Sequence, residues 1–347
     1  MIYKAHGGDW HGYSVEYGRP PIDFSANVNP LGAPEGVKRA LRESAERAHL
    51  YPDPLCRELR RSIAAHLSVS AEQIECGAGA ADLIWRLGLA VKPKSAAVTA
   101  PTFSEYAAAM SASGCEVFRH DLPERDGFNV TERLLDGLNS DALFICNPNN
   151  PTSLTVEPSL MLKIADYCRE RGILLVVDEC FNAFLDEPEL HSLIRRVDEY
   201  PNLLILRAFT KLYGMAGVRL GFCVSSDTDL LSRIAASGQP WAVSGAAQAA
   251  GVSALAEREY VAATMAVIRE GKSYLTSELE KLGHTVLGCE ANYIFFKTKD
   301  TQLAEKLLEK GVMLRECSGY EGLGAGYYRI AARTMEDNRQ LIERMKN

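Results

Sequence analysis

Five short apolar runs, separated by helical patterns, constrain this chain more than any other feature. They read SAAVTA (95–100), DALFICN (141–147), GILLVVDE (172–179), NLLILRAF (202–209) and RLGFCVS (219–225). Each carries apolar residues at consecutive positions, so both faces of an extended segment would be apolar. A strand buried on both sides in a parallel sheet reads this way, whereas a half-exposed strand alternates. The intervening stretches have helical spacing, as in SLMLKIADYCRERG (159–172), which Gly172 closes. Strand, helix and strand in succession predict an α/β fold with a doubly wound, mostly parallel sheet.

The rest of the chain reads differently. Residues 244–283 form one or two long helical patterns with few breakers. Beyond Gly283 come NYIFFKT, the helical TQLAEKLLEKG, then VMLRE, YYRIAA and a closing helix, MEDNRQLIERMKN, which predict a small α+β domain. At 347 residues the chain is long for one core, and a division follows. Residues 1–45 are read as a segment packing with the small domain, 46–283 as the large domain and 284–347 as the small one. The first 50 residues look irregular apart from the helical PEGVKRALRESAERA (34–48).

Composition narrows the function. A net charge of -7 argues against nucleic acid as a partner, since phosphate backbones need a basic face. No apolar run approaches the roughly 20 residues of a bilayer span. The start, MIYKAHGGDW, has no apolar signal core, so a cytoplasmic protein is expected. The nine cysteines are scattered without a C-x-x-C pair, which predicts neither disulfides nor a metal site.

In open parallel sheets, ligands bind beyond the carboxyl ends of the strands. The residues just after the runs are Phe103, Asn150, Asp178 and Lys211, with Arg219 leading into the fifth. A flat, aromatic, phosphorylated aldehyde would use each of them. Lysine condenses with an aldehyde to a Schiff base. A carboxylate opposite a pyridine nitrogen keeps it protonated. An aromatic side chain stacks on the ring, an amide bonds a phenolic oxygen, and arginine clamps a phosphate. Pyridoxal 5'-phosphate is that molecule. ECGAGAADLIWRL (75–87), a glycine-rich turn opening a helix, offers the phosphate cradle. It is no dinucleotide fingerprint, because the third glycine and the distal acidic residue are absent.

Taken together, these residues resemble the fold-type I pyridoxal-phosphate enzymes, the aspartate aminotransferase superfamily, over essentially the whole chain. YPDP (51–54), CNPNNPT (146–152), DE (178–179) and TK (210–211) resemble its histidinol-phosphate aminotransferase branch. HGGD (6–9), IDFSANVNPLG (22–32), DECF (178–181) and LRECSGYEGLGAGYYRIAART (314–334) are more similar to the L-threonine-O-3-phosphate decarboxylases of cobalamin synthesis. The resemblance implies a three-layer fold and a homodimer with shared active sites. Lys211 would carry the cofactor and Asp178 would pair with its ring nitrogen. Asn150 would bond the ring hydroxyl, Phe103 would stack on the ring, and Ala78, Gly79, Ala80, Thr210 and Arg219 would hold the phosphate. Tyr51 would reach the phosphate of the neighbouring subunit. Arg329 would take a substrate carboxylate or phosphate, with His6, Asn27, Arg315 and Arg333 as candidates for the other anionic end.

Three departures stand out. Ala208 replaces a Ser or Thr of the relatives, Ser153 a glycine and Phe181 a tyrosine. The last removes a hydroxyl from beside the cofactor. The implied activity is decarboxylation of L-threonine O-3-phosphate. The alternative is an aminotransferase acting on histidinol phosphate or an aromatic amino acid with 2-oxoglutarate.

Overall fold

The computed structural model describes residues 6–346. These form strands β1 (Ile22–Asp23), β2 (Ile74–Gly77), β3 (Ser95–Ala100), β4 (Glu116–Asp121), β5 (Ala142–Cys146), β6 (Leu174–Asp178), β7 (Leu203–Ala208), β8 (Gly221–Val224), β9 (Thr285–Gly288), β10 (Tyr293–Lys297), β11 (Val312–Met313), β12 (Arg315–Glu316) and β13 (Tyr327–Ala331). The five apolar runs lie in one seven-stranded sheet of order β2-β8-β7-β6-β5-β3-β4. Neighbours from β7 to β4 run parallel, while β8 is antiparallel to both β7 and β2.

Alternation along the central strands explains their apolar character. Leu143 and Ile145 of β5 join Leu175 and Val177 of β6 and Leu203 and Ile205 of β7 in one core. Phe144, Val176, Leu204 and Leu206 point into a second core on the opposite face. Helices Arg57–Leu67, Pro158–Arg171 and Gly245–Ala254 contribute to the first core, and Ala80–Val91, Glu105–Ala112 and Thr228–Ala236 to the second. With both faces covered, the middle of β5, β6 and β7 is apolar, and Asp178 and Arg207 come only toward the carboxyl ends of β6 and β7.

A four-stranded antiparallel sheet of order β12-β13-β10-β9 stands beside this body. One of its faces packs on Leu275 and Leu279 of the helix Arg258–Lys281 and on Leu341 and Ile342 of the helix Met335–Lys346. Phe24 enters the same core, and β1 pairs in parallel with β11. The other face packs Phe295 and Tyr327 against Phe128, Cys317 and Tyr320.

The structure adds elements that the apolar pattern did not announce. Strand β4 is an edge whose residues are exposed or half-buried, so it lacks the apolar signature. Trp10–Tyr17 is a helix inside the stretch read as irregular, begun by Asp9 accepting from Gly12 N–H and ended by Gly18 at φ 68°. Residues 244–283 divide into two helices around Glu257. Among the described residues no helix is long and apolar enough to cross a membrane.

One buried charge network anchors the sheet edge that concerns function. Glu179, immediately after β6, accepts from Arg207 of β7 at 2.6 Å and from Ser192 at 2.7 Å, and its side chain is fully buried. Removing one partner of such a pair leaves an uncompensated charge, at a cost of about 3–5 kcal/mol. Glu179→Gln is therefore expected to lower the denaturant midpoint by that free energy. A change below about 1 kcal/mol would show that Arg207 is rehydrated rather than stranded.

Candidate active site

The sheet register gathers the singled-out residues along one edge. Cys146, the last residue of β5, pairs with Asp178, the last of β6, and Asp178 pairs with Leu206 of β7. Ala208 at the end of β7 opposes Gly221 at the start of β8, and Gly77 at the end of β2 opposes Gly221 as well. Because β8 runs backwards, its amino end lies at the carboxyl ends of its neighbours. That reversal brings Arg219 to the same edge as Ala78 and Thr210.

Asp178 is 5 % exposed. Its two oxygens are occupied by donors, the Tyr106 hydroxyl at 2.6 Å and the Cys180 N–H at 2.9 Å. Burial pushes the Tyr106 phenol well above its ordinary range, with the Asp178 charge adding to the effect, so this hydroxyl remains a donor. Tyr106 lies three residues after Phe103, its ring edge-on to Phe103 at 5.6 Å and stacked on Phe144 at 5.5 Å.

Lys211 is half-buried in the turn after β7, its Nζ 5.7 Å from the centre of the Phe181 ring. Burial pushes its ammonium down to about 8, and the Arg329 and Arg219 charges push the same way while Cys180 and Asp178 oppose them. Asp178, Arg219 and Arg329 thus all act on this one amine. Lysine, carboxylate and two guanidiniums share one electrostatic neighbourhood.

The glycine-rich turn forms a tight corner. Gly79 has φ +96°, and a Cβ there would sit 2.6 Å from Arg219 Nη2. Arg219 itself takes φ +61° and donates to the Ala78 and Ala216 carbonyls at 3.4 and 3.3 Å. Of the three expected phosphate-binding N–H groups, Ala78's donates to Asp82 Oδ2 at 2.8 Å and Gly79's to the Gly77 carbonyl at 2.8 Å. Ala80 begins the helix Ala80–Val91 and presents its N–H at the positive end. Asp82 is itself paired with the buried Arg86 at 2.5 Å. Thr210 is buried next to Lys211.

Asn150 faces the four-stranded sheet. Its Oδ1 accepts from Arg329 Nη1 and from the Tyr320 hydroxyl at 3.3 Å. Arginine only donates, so the amide atom facing it is the oxygen and Nδ2 is the donor on the other side. Arg329, 6 % exposed, donates through Nη2 to the Ser25 carbonyl at 2.7 Å and lies over the Tyr293 ring at 5.5 Å. No carboxylate pairs with it among the described residues, and its Nε has no hydrogen-bond partner. The segment 25–29 crosses between Arg329 and Lys211: Ser25 accepts from the former, and Asn29 N–H donates to the Lys211 carbonyl at 3.0 Å. Asn27 sits between these anchors, 2 % exposed, with both side-chain amide atoms unpartnered among the described residues. Buried polar atoms left this way cost free energy that a ligand would offset.

The remaining candidates separate. His6 packs near Phe103, ring centres 6.1 Å apart, with Nε2 3.1 Å from Glu105. Arg315 lies directly across from Arg329 in the β12–β13 pairing. Arg333 is engaged elsewhere, donating to Asp337 at 2.9 Å and to the Asp23 carbonyl at 3.0 Å. Tyr51 is 80 % exposed and tilts against Trp241 at 4.7 Å, beside a cavity of about 1150 Å³ lined by residues of 36–59 and 241–253. Tyr106, Tyr320 and the Asp82–Arg86 pair were not singled out in the sequence. Only Tyr106 had a signal there, its i, i+3 spacing from Phe103.

Comparison with known proteins agrees with this geometry. The family model for aminotransferase class I and II matches residues 19–345. Threonine-phosphate decarboxylase of Salmonella typhimurium is 36% identical over 100% of this chain and 97% of its own length. Histidinol-phosphate aminotransferase of Symbiobacterium thermophilum is 33% identical over 94% of this chain and 90% of its own. The crystal structure of the histidinol-phosphate aminotransferase from Clostridium acetobutylicum superposes with a TM-score of 0.87 at 25% identity, covering 94% of this chain and 98% of that one. With a family match spanning nearly its whole length, and with lysine, aspartate and arginine gathered at one sheet edge, this chain belongs to the aminotransferase class I and II family.

Proposed function

We propose that this protein decarboxylates L-threonine O-3-phosphate, with pyridoxal phosphate as its cofactor, as a homodimer. The observation that carries the substrate class is the facing pair Arg315 and Arg329, one of them buried, beside the unpartnered Asn27 amide. Such a site suits a small molecule with two anionic ends. The choice of decarboxylation rests on the likeness, over the full length of both chains, to the Salmonella decarboxylase.

The donor set fits the cofactor. The lack of a Cβ at Gly79 lets the Arg219 guanidinium close against the turn beside a helix amino end. Lys211 has its ammonium pushed down to about 8, so a far larger fraction of the amine is neutral and nucleophilic near neutral pH than for an ordinary lysine. Asp178 accepts from one donor on each oxygen, which fixes its carboxyl group in place. In this reading Ala80, Thr210 and Arg219 hold the phosphate, with Ala78 and Gly79 shaping the turn. Phe103 covers the ring, Asn150 Nδ2 donates to the ring hydroxyl, and Asp178 keeps the ring nitrogen protonated. Bound pyridoxal phosphate supplies an aldehyde for an amine and a protonated ring that accepts the electron pair released at the adjacent carbon.

The protein's own residues decide which bond breaks. The bond that overlaps the ring π system is the one held perpendicular to its plane. Arg329 and Arg315 hold carboxylate and phosphate, Asn27 bonds the same anions, and His6 closes the site over Phe103. The distal anchor on the phosphate fixes the substrate without pinning its carboxylate in the ring plane. The carboxylate leaves as carbon dioxide, and Lys211 Nζ returns a proton to the carbon it left. Tyr51, reaching outward beside Trp241, would complete the phosphate site of the partner subunit.

Three measurements test this. Incubation with threonine phosphate is expected to release carbon dioxide and aminopropanol phosphate in equal amounts. Glutamate formed from 2-oxoglutarate and histidinol phosphate, without gas release, would make the protein an aminotransferase instead. In cofactor-free protein, capture of an aldehyde by Lys211, trapped with borohydride, should rise with pH around 8 rather than near the ordinary 10.5, and Lys211→Ala should abolish the trapped adduct. The sign follows from the lowered value: only the neutral amine reacts, and it becomes the major form above that pH. Light scattering should give about twice the 38.1 kDa chain mass, and Trp241→Glu should shift it toward the monomer with loss of activity. A monomeric, fully active native protein would remove Tyr51 from the site.

A further inference from the structure

Arg315 and Arg329 occupy directly opposed positions on antiparallel strands β12 and β13. Opposed side chains lie on the same face with Cβ atoms about 4.5–5.5 Å apart, and like charges so placed repel. Contacts to other groups offset that repulsion, and the Tyr320 side chain touches both arginines. Arg315 Cζ lies 5.2 Å from the ring centre, as in a cation–π contact. The hydroxyl end reaches Arg329 Nη1 at 3.5 Å and Asn150 Oδ1 at 3.3 Å. One side chain thus contacts both arginines and the amide assigned to the cofactor hydroxyl.

The ring is held rather than draped. Tyr320 is 9 % exposed and packs with Phe128, Phe295, Cys317 and Tyr327. Its N–H donates to the Cys317 carbonyl at 3.0 Å, and its carbonyl accepts from Leu323 N–H at 3.1 Å. The turn that carries it touches the seven-stranded sheet at two points. Gly322, at φ +81°, would bring a Cβ to 3.6 Å from the Ala100 carbonyl, and Glu321 pairs with Arg119 of β4 at 3.2 Å. The Tyr293 hydroxyl nearby is committed, since it donates to the Asn149 carbonyl at 2.8 Å. Phe181 has none to offer.

We propose that Tyr320 is the residue that sets substrate length, its ring spacing the two arginines and its hydroxyl tying Arg329 to Asn150. Resting on the two-anion reading above, this makes the reach between the substrate's carboxylate and phosphate a property of one ring. A phosphorylated amino acid of matching length satisfies both guanidiniums, and one a methylene longer or shorter satisfies only one. The hydroxyl has a separate task. It keeps the Asn150 oxygen turned to Arg329 and so its Nδ2 toward the cofactor.

The test uses the cofactor-loaded dimer and a graded series of inert dianions, phosphonoacetate, 3-phosphonopropionate and 4-phosphonobutyrate, with dissociation constants from calorimetry. Native protein should bind one length at least about tenfold more tightly than its neighbours, the scale of one misplaced methylene. Tyr320→Leu should flatten the series to within about twofold. Tyr320→Phe should keep the preferred length but weaken every member by about tenfold, the scale of a lost bond to a charged group. It should also shift the pH midpoint of the bound cofactor's absorbance change, which a purely structural ring would leave in place. Three results would overturn the proposal: a native series without a preferred length, a Tyr320→Leu series with the native profile, or a Tyr320→Phe protein equal to native in affinity and absorbance. If Tyr320→Leu fails to fold, the Tyr320→Phe comparison decides alone. A sharp native preference without carbon dioxide release from threonine phosphate would sink the proposed reaction and leave the spacing role standing.

Discussion

A carboxylate buried at the end of a parallel strand is the constraint on which the rest of this molecule depends. Asp178 lies where the central strand β6 gives out, 5 % exposed, and Tyr106 and the Cys180 N–H each donate to one of its oxygens. So held, the carboxyl group bears on a half-buried lysine together with two guanidiniums. The site is therefore an excess of positive groups around one carboxyl group.

The fold supplies that arrangement by strand direction. Parallel strands deliver Phe103, Asn150, Asp178 and Lys211 to one edge, because each follows the carboxyl end of a strand. The single reversed strand, β8, adds Arg219 from its amino end. The four-stranded sheet closes the site from the side with Arg329, Arg315 and Tyr320. The first segment of the chain, tied by Ser25 to Arg329 and by Asn29 to Lys211, threads between the two bodies. Groups far apart in sequence thus bear on one small volume. Few of them could be replaced without leaving a buried charge or amide unpartnered.

The inner strands were legible because burial on both faces disfavours polar residues there, and that restriction shows in ALFI, ILLVV and LLIL. Strand β4 was not, since an edge strand with exposed side chains has no such restriction. The helix Trp10–Tyr17 was missed because WHGYSVEY has no apolar stripe, and its ends are set by Asp9 and Gly18. In the site, residues just beyond strands could be picked out by chemistry, since a lysine or aspartate is unusual where a buried run ends. Tyr320 could not, and Tyr106 only by its spacing from Phe103, because an aromatic residue in a helix or loop reads as core, and core is where their rings lie. Only their hydroxyls reach the polar groups. Arg333 was a candidate through the family resemblance, and the structure engages its guanidinium with Asp337. Ala78 was expected to offer its N–H to an anion, and Asp82 takes that N–H instead. Neither pairing is visible without the fold.

The central claim is that Asp178 keeps the nitrogen of a pyridine ring protonated while Lys211 holds the other end of the same molecule. The most direct measurement is the ¹⁵N chemical shift of the ring nitrogen in protein loaded with labelled pyridoxal phosphate, native and Asp178→Ala. The account predicts a protonated nitrogen across neutral pH in the native protein and an unprotonated one in the variant. An unprotonated nitrogen in the native protein, or the same shift in both, would contradict it.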